Sequence, residues 1–218
     1  CASAGIIIGV LRFTGLGLKF TSAVVSISGG NLMAALILTM IASIILGMGI
    51  PPTAAYVMQA ALTAPALVQM GLEPIQAHLF IFYFSCMAGI TPPVAICAYT
   101  AAPIAEGNPG KVGFQAFRLA LSSFIVPYVF AYGTGILLVG NIIDIVLAVC
   151  TTLIGIAILS VAVSGWLKYP IKVYLRIPLF GAAVLMMVQG VTTDLVGILI
   201  AGVICAVHLR RPAVSPAK

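Results

Sequence analysis

The chain has 218 residues, of which 62% are hydrophobic and only 6% charged, with a mean hydropathy of +1.25. Soluble domains carry about 25% charged residues, and 10 Lys+Arg with 4 Asp+Glu cannot coat a water-soluble surface of this size. A soluble enzyme, a nucleic-acid binder and a disordered segment are therefore excluded, and the net charge of +6 reads as a topology signal at a membrane surface. The fold class expected is an all-α integral membrane protein, a polytopic helical bundle in the lipid bilayer.

A spanning helix needs about 20 apolar residues, so charges, prolines and glycine pairs divide the chain into measurable pieces. Cys1 to Val10 reads as the end of a helix, without the charged start or cleavage pattern of a signal peptide, so the chain is expected to be a fragment of something longer. Leu11 to Ser28 is a weakly amphipathic arm carrying Arg12 and Lys19, expected to lie at the interface with its bases snorkelling. Asn31 to Leu46 and Ala54 to Met70 are apolar stretches around the breaker Gly47-Met48-Gly49-Ile50-Pro51-Pro52-Thr53. Each is short for a crossing, and together they are far too long for one, which predicts a re-entrant hairpin over 31–70 with its tip near mid-membrane. Ile75 to Ala105 is long enough to cross but is interrupted by Gly89-Ile90-Thr91-Pro92-Pro93, which predicts a discontinuous helix.

Three apolar pieces follow: Phe114 to Val139 with Pro127 as a kink, Ile142 to Leu167, and the tandem pair Ile177 to Val191 and Leu195 to Leu209. The expected organisation is thus a helix end and arm over 1–30, a hairpin and broken-helix unit over 31–113, a spanning helix over 114–139, and C-terminal helices with a basic tail over 140–218. Basic residues cluster at Lys168, Lys172 and Arg176 and at Arg210, Arg211 and Lys218. The positive-inside rule makes both places cytoplasmic. Parity then puts Asn141, Asp194, Gly30 and Gly71 outside, and Glu106 to Gly113 inside.

Helix breakers in hydrocarbon cost several kcal/mol per unsatisfied backbone group unless something uses the freed groups. Half-helix N-termini favour anions, whereas unwound carbonyls and nearby hydroxyls offer the oxygen ligands a hard cation needs. Thr53 behind Pro51-Pro52 and Thr91 before Pro92-Pro93 are such hydroxyls, and each proline pair is expected to sit at the start of a half-helix. Other polar residues read as ordinary: Glu73, Asp144 and Asp194 at helix ends, Glu106 and Lys111 in a short loop, Arg118 snorkelling, His78 in capping or interfacial packing, and His208 at the membrane interface. Five cysteines, Cys1, Cys86, Cys97, Cys150 and Cys205, lie singly in apolar runs and read as inert. No paired acids, Ser/Lys or Ser/His dyad, His-Glu metal pattern or phosphate-binding loop occurs in the sequence, which argues against an intramembrane enzyme and an ATP-driven pump. A non-transporting scaffold is the alternative, opposed by the two breaks.

Three segments carry a family resemblance: Gly47 through Tyr56, Gly89-Ile90-Thr91-Pro92-Pro93-Val94-Ala95, and Gly113-Phe114-Gln115-Ala116-Phe117-Arg118-Leu119 with Phe124-Ile125-Val126-Pro127. They resemble the large membrane subunit of tripartite ATP-independent periplasmic (TRAP) transporters, nearest to the fused form working with TAXI-type binding proteins. The likeness covers roughly Cys1 to Val139. It implies a sodium-driven, elevator-type permease of the bacterial inner membrane, importing a small organic anion delivered by a periplasmic solute-binding protein, with a small membrane subunit or its fused equivalent. This chain would hold the second of two inverted repeats and lack the N-terminal half. No organic cofactor is implied; sodium is the coupling ion, assigned by the resemblance to Gly47, Thr53, Gly89, Thr91 and Pro92, with substrate at Pro52, Thr53, Tyr56 and Thr91. Dicarboxylate-type members carry an acid where this chain has Pro51, so a charged cation ligand is not carried over there.

Overall fold

The computed structural model describes residues 2–133, 135–138, 141–167, 169–187 and 190–209, and the chain packs as two compact units, Cys1–Ala120 and Leu121–Lys218. Unit one opens with α1 (Ala2–Phe13) and α2 (Leu16–Ser28). The expected break near Val10 lies four residues later, where the Thr14 hydroxyl donates to the Val10 carbonyl and Gly15 takes a left-handed φ of 65°. Arg12 therefore belongs to α1, while Lys19 is exposed on α2. The arm also has a packed side: Thr21, Val24 and Ser28 are buried, and α2 runs against α3 (Leu32–Gly47) and α4 (Pro52–Gln69). Gly17 permits the approach, since a β-carbon there would stand 3.2 Å from the Ala61 carbonyl oxygen.

α3 and α4 flank the Gly47–Thr53 breaker and pack against each other. Asn31 caps α3, its side chain accepting from the Ala34 amide at 3.3 Å, and Pro52 occupies the first turn of α4, where no amide proton is wasted. At 16 residues, α3 is shorter than a full crossing. The discontinuous helix follows as α5 (Pro74–Met87), a 3-10 turn over Ala88–Ile90, an irregular link and the short α6 (Ile96–Ala101). Unit one ends with α7 (Pro109–Ala120), which begins inside the segment expected to be a loop. Asn108 accepts from the Lys111 amide, and Pro109 fits the first turn, so Lys111 is helical.

Over the segment expected to span, the described helical run Pro109–Tyr132 is long and apolar enough to cross a membrane, and it is irregular within. Helical backbone tightens to 3-10 over Leu121–Phe124, resumes as α8 (Val126–Tyr132), and shortens again to a 3-10 turn at Gly135–Leu137. Pro127 supplies the cause, because it has no amide to offer the Ser123 carbonyl and its ring crowds the preceding turn. The remainder of unit two is α9 (Ile142–Ser164), α10 (Val173–Met187) and α11 (Val191–Leu209), with α10 packed between the other two. Gly155 meets α10 closely at the Ala183 carbonyl (3.3 Å from a built β-carbon), and Gly197 meets it at the Ala182 carbonyl (2.8 Å), a contact that needs glycine. Ile142–Ser164 is 23 residues long, enough for one crossing.

The connection between α9 and α10 is tied from two sides. Arg176 reaches back from the first turn of α10, its Nε donating to the Ile171 carbonyl at 3.0 Å. From α11, His208 is buried and its Nε2 lies 3.2 Å from the Tyr169 carbonyl. His208 thus ties the α9–α10 connection to the end of α11. Lys172 is exposed, with its ammonium 5.9 Å from the Tyr174 ring centroid. Lys168, Arg210, Arg211 and Lys218, and also Cys1, lie outside the described residues.

Candidate functional site

At the hairpin tip, α3 ends on Gly47 and the chain leaves it through an extended Met48. Gly49 then adopts a φ of +82°, a conformation that a β-carbon disfavours, and Pro51 is extended before α4 begins. Pro52 and Thr53 lie exposed in the first turn of this 18-residue helix, whose free amides concentrate partial positive charge at the tip.

The second break is built differently from the expected one. Thr91 is extended, as a residue before proline prefers to be. The following Pro92-Pro93 bond is cis, and the prolines remain in a turn instead of opening α6. That helix starts at Ile96 behind Ala95, which holds a left-handed φ of 34°. The link is held by three hydrogen bonds. Thr91 donates its amide to the Ala88 carbonyl (3.3 Å) and accepts from the Ala95 amide (3.1 Å), while Tyr99 donates its hydroxyl to the Pro93 carbonyl at 2.8 Å. Gly113 on α7 makes room for that tyrosine, since a β-carbon there would stand 2.8 Å from Cε1. The Thr91 side chain is 7% exposed and donates to the Met87 carbonyl at 2.8 Å. Its proton is committed to the break, so its oxygen lone pairs are what it can present to a cation. Gly89 lies against Cys97, with 3.2 Å between a built β-carbon and Sγ.

The two breaks touch. A β-carbon on Gly47 would be 2.8 Å from that of Ala88, and one on Gly49 would be 4.0 Å from Val94 Cγ1. Beneath this contact lies a polar layer that hydropathy reading passed over. Gln59 of α4 is fully buried, its Nε2 donating to the Ser43 carbonyl of α3 at 3.0 Å and its Oε1 accepting from Ser85 Oγ of α5 at 3.2 Å. Thr63 donates to the Gln59 carbonyl, and the Thr39 and Ser43 hydroxyls are fully buried without a hydrogen-bond partner. A lone amide in the middle of an apolar helix was the available signal, because such a group must find partners inside the fold.

The other expected site residues fall apart from this centre or are otherwise engaged. Tyr56 has its hydroxyl 3.0 Å from His78 Nδ1 on α5 and its ring edge-on to Phe82, so it ties the hairpin to the broken helix. That gives His78 a packing role, as expected. Glu73 caps α5 from an exposed position, its amide donating to Gln76 Oε1 at 2.9 Å. Glu106, Lys111 and Arg118 are exposed. Asp194 lies in the first turn of α11, as expected of a helix-end acid, and is half-exposed, with its Oδ1 buried without a hydrogen-bond partner. The Asp144 side chain lies outside the described residues. Among the described residues no group of three or more His, Cys, Asp or Glu could hold a metal ion. A cation at this centre would have neutral oxygens for ligands, which suits a monovalent ion better than a transition metal.

Residues 1–167 match the family model described as the tripartite ATP-independent periplasmic transporter, DctM component. The match extends beyond Val139 through α9, further than the sequence motifs reach. No curated protein and no solved structure matches the chain. Motifs, helical architecture and family match agree: the chain belongs to the DctM family, the large membrane component of TRAP transporters, a transport permease subunit and not an enzyme.

Proposed function

We propose that this permease is driven by sodium and imports a small organic anion, received from a TAXI-type periplasmic binding protein. The observation that carries the reading is the contact of the two breaks at Gly47 and Ala88, beside the buried Thr91 hydroxyl. Two interrupted helices that meet in a bilayer core leave unwound carbonyls beside hydroxyls, and such groups persist there where they line a site. The cation is assigned to Gly47, Gly89, Thr91 and Pro92, with Thr53 at the rim. The anion is assigned to the positive end of α4 at Pro52 and Thr53, with Thr91 from the second break. Tyr56 contributes as the wall that holds α4 on α5, since its hydroxyl is engaged by His78.

In this reading 31–113 forms one repeat of the moving domain, the other repeat comes from a preceding half of the same permease, and a small membrane subunit or fused equivalent completes it in the inner membrane. The loop at Lys172 is cytoplasmic, while Asn141 and Asp194 face the periplasm. The test is binding of radioactive sodium to the purified complete permease, competed by unlabelled sodium or potassium. Thr91→Ala should weaken sodium binding about tenfold, as expected for one lost oxygen ligand at 1–3 kcal/mol, and Thr91→Ser should be much milder. No saturable sodium binding, or equal damage from Ala and Ser, would refute the assignment.

A further inference from the structure

We infer that Gln59 is a positioning residue, one that holds the hairpin and the broken helix in register so that the cation groups of the two breaks converge. The inference rests on the sodium reading above and adds a residue that touches neither ion nor substrate. Three observations carry it. The Gln59 side chain is fully buried between three elements and bonds two of them, α3 through the Ser43 carbonyl and α5 through Ser85. It lies directly under the contact of the breaks, with 3.4 Å between Nε2 and a β-carbon built on Gly47. Finally, its partners are specific in direction: the Nε2 donates to the Ser43 carbonyl while the Oε1 accepts from the Ser85 hydroxyl, a pair of roles that an apolar side chain of similar volume cannot fill.

A leucine or methionine of similar volume would fill the same space without desolvating an amide. What the amide adds is register, because sliding α4 by one turn against α3 or α5 would orphan two buried polar groups. Ser85 is the weaker partner, its single hydroxyl proton being shared with the Ile81 carbonyl at 2.8 Å. Gln59 therefore acts on the cation through the spacing of Gly47 and Ala88, and its loss should raise the sodium requirement more than it lowers maximal rate or abundance.

The experiment uses the membrane-embedded permease with Cys97 as the sole cysteine. Cys97 is exposed and its Sγ packs against Gly89 of the break, so its alkylation rate by N-ethylmaleimide reports on the break without any need to know the substrate. The parent protein should show sodium-dependent protection that choline and potassium do not reproduce. Gln59→Met should react several-fold faster in choline and should need about tenfold more sodium for half-protection, in line with the loss of two buried hydrogen bonds. Ser85→Ala should shift half-protection in the same direction by a smaller factor, and the double variant should be no worse than Gln59→Met. If Gln59→Met folds poorly, Ser85→Ala alone carries the test. A sodium response in the parent with unchanged half-protection in both variants overturns the role of Gln59 while leaving the sodium reading intact. The absence of any sodium response in the parent overturns both.

Discussion

Substituting Gly47 by alanine isolates the contact on which the site depends. The new methyl group would lie 2.8 Å from the Ala88 β-carbon, about 1 Å inside an ordinary carbon–carbon contact, and 3.4 Å from Gln59 Nε2. The Ala88 methyl has no torsion by which to retreat, so either the end of α3 or the 3-10 turn must move. Overpacking of this kind costs about 1–3 kcal/mol, against which alanine returns up to about 1 kcal/mol of helix propensity. The net expectation is a loss of about 1–2 kcal/mol. Gly202 serves as the reference, since it lies within α11 and a β-carbon there meets nothing within 4 Å. Gly202→Ala should be neutral or stabilising. Adding Ala88→Gly to Gly47→Ala removes the clashing atom and should recover part of the lost stability, the glycine itself costing a few tenths to about 1 kcal/mol in the turn. Thermal stability of the detergent-solubilised permease, read by gel filtration after heating, measures all four proteins. Should Gly47→Ala gain stability as Gly202→Ala does, or the swap give no recovery, the two breaks do not meet as described.

Gly165→Ala combines a left-handed φ of 72° with a β-carbon directed into the Arg176 guanidinium. It should therefore destabilise the permease by about 2 kcal/mol, with Gly165→Asn milder; equal melting of alanine and wild type would refute the tie. Tyr56→Phe and His78→Leu should each lower stability by about 1 kcal/mol, and together by no more than the larger single loss, which a double-mutant cycle measures. Additive losses would show that the 3.0 Å pair contributes nothing as a pair. A cysteine at Lys172, which is exposed beside α10, should react with an impermeant maleimide from the cytoplasmic side alone. Reaction in intact cells would invert the topology.

What could be read in advance followed the strength of local constraints. Proline and glycine act on their own backbone, so the hairpin tip and the start of α4 were legible within two residues from Gly47 through Pro52. The second break was legible in place but not in shape. A proline pair fits a first helical turn or a bend equally well, and the bend is set by Ala95 and by the Tyr99–Pro93 bond, which depends on the room left by Gly113. Pro127 marks a kink, as its chemistry predicts, but the extent of the 3-10 stretch at Leu121–Phe124 before it is not local information. Gln59 is silent in local sequence because its meaning lies in partners 16 and 26 residues away, at Ser43 and Ser85. The tie of His208 to the Tyr169 carbonyl, 39 residues earlier, is likewise invisible in local sequence. Apolar periodicity locates helices, but it carries no information about which buried polar groups find each other.

The central claim, that the touching breaks form a sodium-coupled site, is tested most directly by uptake into proteoliposomes that contain the complete permease. The cognate binding protein, loaded with the carboxylate it retains, is supplied outside, and gradients are imposed one at a time. An inward sodium gradient should drive accumulation, a proton gradient without sodium should not, and Thr91→Ala should shift the sodium dependence while leaving the choice of carboxylate unchanged. Accumulation that is indifferent to sodium, or a Thr91→Ala permease with wild-type sodium dependence, would contradict the account.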